Sequence, residues 1–106
     1  MESRRDLSVS YERLGNISKS RGKLEAAEEY YRKSLGIREK LASETGTVEA
    51  YDDLALSYYR MSTVIASKKD EYLNIALYIW TQLVELCPHV AIFAQRRDLI
   101  KKFLNE

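Results

Sequence analysis

The chain is poor in the residues that punctuate β-structure: four glycines and one proline in 106 residues. No alternating apolar run bounded by turn residues occurs, so strands are not expected. The single cysteine, Cys87, cannot close an internal disulfide, and nothing points to an oxidising compartment. The single histidine, His89, follows across Pro88. Neighbours on either side of a proline are poorly placed to converge as metal ligands or as a nucleophile and its base. Gly15, Gly22, Gly36 and Gly46 are too scattered for a phosphate-binding loop. The expectation is a chain with no catalytic residue, no metal and no cofactor. No apolar run is long enough to span a bilayer. The opening MESRRDLSVS has no apolar core of the kind a secretory signal carries, so a cytoplasmic location is expected. An excess of one charge is missing too. Seventeen Lys and Arg stand against sixteen Asp and Glu, a formal net charge of +1. That argues against a dedicated nucleic-acid binder, whose phosphate contacts favour a strongly basic surface.

Helical periodicity fills the chain instead. The stretch from Ser8 to Leu41 holds two amphipathic segments that meet at Gly22. Tyr11, Leu14 and Ser18 share one face of the first, and Leu24, Ala27, Tyr31, Ser34 and Leu41 one face of the second. Gly15 and Ala27 are small where large residues could stand, so two antiparallel helices can approach closely there. Glu25, Glu28 and Glu29 crowd the start of the second segment, while Arg38 and Lys40 sit late, as the helix dipole favours. The pattern predicts five helices, near 3–20, 23–42, 48–66, 71–86 and 89–105. Thr47 is the expected cap of the third and Asp70 of the fourth. The fourth is apolar around more than half its girth, and such a helix is usually covered on two sides. On the fifth, Arg96, Arg97, Lys101 and Lys102 are expected to look outward.

Two features recur. Tyr11, Leu14 and Gly15 return forty residues later as Tyr51, Leu54 and Ala55. Leu24, Ala27, Tyr31 and Ser34 return forty-nine residues later as Leu73, Ala76, Trp80 and Leu83. A helical pair repeating at this period predicts stacked hairpins, with the longer second interval held in the second hairpin. The fold class is therefore all-α, in a single domain.

These residues resemble the tetratricopeptide repeat family. Its signature places an aromatic three residues before Leu-Gly or Leu-Ala in the first helix. An Ala, an aromatic, a small residue and a Pro follow in the second. The first copy carries Tyr11, Leu14, Gly15, Ala27, Tyr31 and Ser34, and departs at Ser18 and Glu39. The second carries Tyr51, Leu54, Ala55, Tyr58, Ala76, Trp80 and Pro88, and departs at Leu83 and in its nine-residue insertion. The resemblance implies a right-handed stack of antiparallel hairpins. Repeat one would cover about 7–45, repeat two about 47–88, and a capping helix about 89–105. It further implies a non-catalytic scaffold that holds a peptide or a partner helix in a concave groove lined by the first helix of each hairpin.

On that reading the groove candidates are Glu12, Asn16 and Lys19 on the first helix and Asp52, Leu56, Tyr59 and Arg60 on the third. Leu56 and Tyr59 lie just off the core face and suit contact with a partner, although partial burial in the core explains them equally well. Glu12, Lys19, Asp52 and Arg60 suit either a partner or pairing with one another. A subset of the family clamps the carboxylate at the end of chaperone peptides with Lys and Asn. Here Asn16 matches one clamp position, but Glu12 and Asp53 replace a Lys and an Asn, which disfavours such a ligand. Tyr30, Tyr59, Tyr72 and Tyr78 are candidates for a second surface. Two alternatives accompany the scaffold reading. One is a homodimer formed through the open face of the first hairpin, which includes Tyr30 and Ile37. The weaker one is nucleic-acid binding by the basic fifth helix.

Overall fold

The computed structural model describes residues 3–106, and its helices follow the expected order. They are α1 (Arg4–Ser20), α2 (Leu24–Thr45), α3 (Val48–Ser62), α4 (Lys69–Leu86) and α5 (Ala91–Leu104). A 3-10 turn, Ala66–Lys68, precedes α4. The described residues contain no strand. The boundaries have local causes. Ser3 Oγ accepts the Asp6 N–H, and Thr47 Oγ1 accepts the Ala50 N–H; each such cap contributes about 1 kcal/mol. Gly22 and Gly46 adopt φ of 74° and 62°, the left-handed region that glycine enters without a Cβ penalty. Gly46 ends α2, so that helix runs three residues beyond its expected end at Ala42. Asp70 does not cap α4; it lies inside the first turn.

Each helix packs against the next in sequence. The described residues form a slab of 41 × 37 × 19 Å, about two helices deep at ~10 Å each. The small residues mark the close approaches. A Cβ built on Gly15 would overlap the Tyr31 ring. Ala55 and Ala76 are fully buried in one cluster with Leu73, Trp80, Leu83, Phe93 and Ile100. A second cluster joins the hairpins, with Ala27 and Tyr31 of α2 meeting Met61 of α3 and Tyr72 of α4.

The nine extra residues of the second hairpin are spread over three places. Two lengthen the end of α3, three lengthen the connection to α4, and four extend the start of α4. They are functional in packing. Val64, Ile65 and Tyr72 all lie in or against the cluster that joins the hairpins.

Some expected inward positions face out. Leu14 and Leu24 are 42% and 52% exposed, and Tyr51 is also exposed. On α1 the buried residues are Ser8 and Gly15 instead. A helix at the end of a stack is covered along one side, so its buried stripe is narrow. Several expected surface residues are drawn inward, Arg97 among them. Tyr72 is buried against Tyr58, with ring centroids 6.1 Å apart. Arg96 is partly buried because Asp52 holds it at 2.6 Å.

Candidate partner-binding face

Side chains cross from α1 to α3, the first helices of the two hairpins, and from α3 to α5. Glu12 of α1 receives Arg60 of α3 at 3.2 Å. Arg5 of α1 reaches Asp53 of α3 at 2.9 Å. Asp52 of α3 accepts both Arg96 of α5 and the Trp80 Nε1–H of α4, the latter at 2.9 Å. Tyr59 of α3 stacks on Phe103 of α5 with centroids 5.9 Å apart and planes 10° from parallel. The candidates Glu12, Asp52, Tyr59 and Arg60 are therefore brought onto one face, and each of them also has a partner inside the chain. Asn16 accepts the Tyr31 hydroxyl at 2.5 Å. Lys19 is exposed at the end of α1. Leu56 is half-buried against the core.

Beneath this face lies an arrangement that helical spacing did not suggest. Arg38 of α2 is 2% exposed. Its Nη1 donates to Glu12 Oε1 at 2.5 Å, to Ser57 Oγ at 2.9 Å and to the Asp53 carbonyl at 3.3 Å. Its Nε donates to Ser8 Oγ at 3.1 Å. Ser34 Oγ adds a bond to the Ser8 carbonyl at 2.8 Å. Three helices thus converge on one guanidinium. Arg38 falls four residues after Ser34 on the face that also carries Ala27 and Tyr31, so a cation at a core position was the available signal. No buried side-chain nitrogen or oxygen among the described residues lacks a partner, as buried polar groups require.

One feature of this face remains open toward a ligand. A crevice of about 120 Å³ lies between α3 and α5, lined by Leu56, Tyr59, Trp80, Arg96, Leu99 and Ile100. It is large enough for one side chain and presents mainly apolar atoms with a guanidinium at its edge. Burial holds the Tyr31 phenol above its ordinary range, opposed in part by the Arg60 charge. Tyr31 is therefore a neutral hydrogen-bond donor to Asn16 at physiological pH. The described residues hold no group of three His, Cys, Asp or Glu that could bind a metal. His89 is exposed, and Cys87 is half-buried at the margin of the larger cluster.

Close packing at Gly15, the Ala27 and Tyr31 faces and the bonded Ser34 define the first hairpin as a repeat unit, and residues 7–44 match the family model for the tetratricopeptide repeat. This stretch is a tetratricopeptide repeat. No curated protein and no solved structure matches the chain. Tetratricopeptide repeats are in general protein-interaction modules. In this repeat, the positions that a carboxylate clamp would use are committed elsewhere: Glu12 to Arg38 and Arg60, Asn16 to Tyr31. No helix among the described residues is long and apolar enough to cross a membrane.

Proposed function

We propose that the chain is a non-catalytic scaffold, with two repeats and a capping helix, that binds an extended peptide or a partner helix across the α1–α3–α5 face. The observation that supports this reading is the apolar crevice at Leu56, Tyr59 and Leu99. It lies on the same side as the ion pairs that lock the three helices together. Those pairs give the face rigidity, and a rigid face loses little entropy when a ligand docks. An apolar ligand side chain would fill the crevice, and Arg96 and Arg60 stand near enough to favour acceptor groups beside it. A cytoplasmic location fits the lone free thiol.

An arrayed library of twelve-residue peptides, probed with the full chain, tests the reading. Retained peptides should share an apolar anchor. Leu99→Glu, at a side chain 46% exposed, should abolish retention while leaving the circular dichroism spectrum unchanged. Equal retention by Leu99→Glu, or no retained peptide at all, would refute the assignment.

A further inference from the structure

We propose that the cleft between α1 and α2, on the flank away from α3, docks an acidic amphipathic helix of a partner protein. The cleft measures about 460 Å³. Leu7, Tyr11, Gly36 and Ile37 line it with apolar surface, and every charged side chain lining it is a cation: Arg32, Lys33 and Lys40. Lys33 lies over the Tyr11 ring at 5.5 Å. The contacts of Arg32 with Glu28 (3.4 Å) and of Lys33 with Glu29 (3.9 Å) are long and exposed. Such pairs exchange readily for the carboxylates of a ligand.

Gly36 supplies an independent argument. It sits in the interior of α2, where glycine is among the poorest helix formers. Its φ is not positive, and a Cβ built there would meet nothing within 4 Å. Gly15, by contrast, makes room for Tyr31. Nothing within the chain needs the bare backbone at Gly36, whereas a helix lying in the cleft would approach α2 there most closely.

A second copy meeting cleft to cleft would set Arg32, Lys33 and Lys40 against themselves, which favours a partner of opposite charge.

The test uses the full chain and two synthetic twenty-residue amphipathic peptides. Both carry Leu and Tyr on one stripe; the remaining positions are Glu in one and Lys in the other. Fluorescence anisotropy should show binding of the Glu peptide, weakened by salt, and none of the Lys peptide. Gly36→Leu places a helix-favouring side chain in open space, so it fills the cleft without disturbing the fold. That variant and Lys33→Glu/Lys40→Glu should each weaken binding at least tenfold at unchanged circular dichroism. Leu99→Glu should leave this binding intact, which separates the cleft from the α3–α5 crevice. Equal binding of both peptides, a loss under tenfold in either cleft variant, or a mass that rises to a dimer with concentration would overturn the proposal.

Discussion

Removing Arg38 should destabilise the domain more than any exposed charge would suggest. The guanidinium is buried, and it satisfies Glu12, Ser8, Ser57 and a backbone carbonyl together. Arg38→Ala strands those acceptors and leaves a void where the side chain ran. Breaking a buried ion pair from one side costs about 3–5 kcal/mol. Each kcal/mol lowers the melting temperature of a domain near this size by roughly 4–8 °C, so a fall of at least ~12 °C is expected. Glu12→Gln should be costly as well, because it leaves the buried Arg38 charge without a countercharge and takes one from Arg60 too, although the amide keeps an acceptor. The decisive variant is Arg38→Met/Glu12→Leu. Replacing both charges by apolar groups of similar volume is often neutral, so the double variant should recover much of the loss, with a coupling of about 0.5–3 kcal/mol. Urea unfolding followed by circular dichroism of the unaltered chain, Arg38→Met, Glu12→Leu and the double variant gives all four corners of the cycle. A loss under ~0.5 kcal/mol for Arg38→Ala, the range of an ordinary surface change, would refute the reasoning. Strict additivity would equally refute it.

Three further outcomes follow from the packing. Gly15→Ala should cost about 1–3 kcal/mol by pushing the Tyr31 ring out of place, and an unchanged urea midpoint would contradict the close approach. Trp80→Ala should cost about 3–5 kcal/mol, since the indole is 2% exposed and carries a bond to Asp52; thermal unfolding measures it. Burial raises the Tyr31 and Tyr58 phenols, and Glu39 adds to the second effect. A folded-state value above the unfolded one gives stability that is complete below about pH 10 and is lost as the pH climbs past it. Stability should therefore decline from about pH 10 upward, less steeply in Tyr31→Phe, and an equal slope in that variant would show that Tyr31 does not contribute.

Helix order and pairing were legible because apolar spacing and small residues act locally. Gly15 against Tyr31, and Ala55 and Ala76 buried in one cluster, agree with this. Leu14 was misplaced because a periodic stripe does not reveal how many neighbours a helix has, and α1 stands at the end of the stack. Arg38 escaped for a different reason. A cation on an apolar stripe reads as a solvated end-of-helix charge until the residues that neutralise it are in view, and those come from α1 and α3. Arg96 is the same case, because Asp52 lies forty-four positions away. Of the candidate face, Leu56 and Tyr59 were legible as apolar residues just off the core. The crevice between them depends on where α5 lies, which no local pattern fixes.

The longer second hairpin has a consequence for how such units can be ordered. Its added turn drives Tyr72, Val64 and Ile65 into a hollow floored by Ala27 and Tyr31, much as a tenon enters one mortise. The two hairpins are for that reason not interchangeable. Placed ahead of its neighbour, the second would leave those three side chains in water, and a tandem made only from the first would lack the peg that locks successive units.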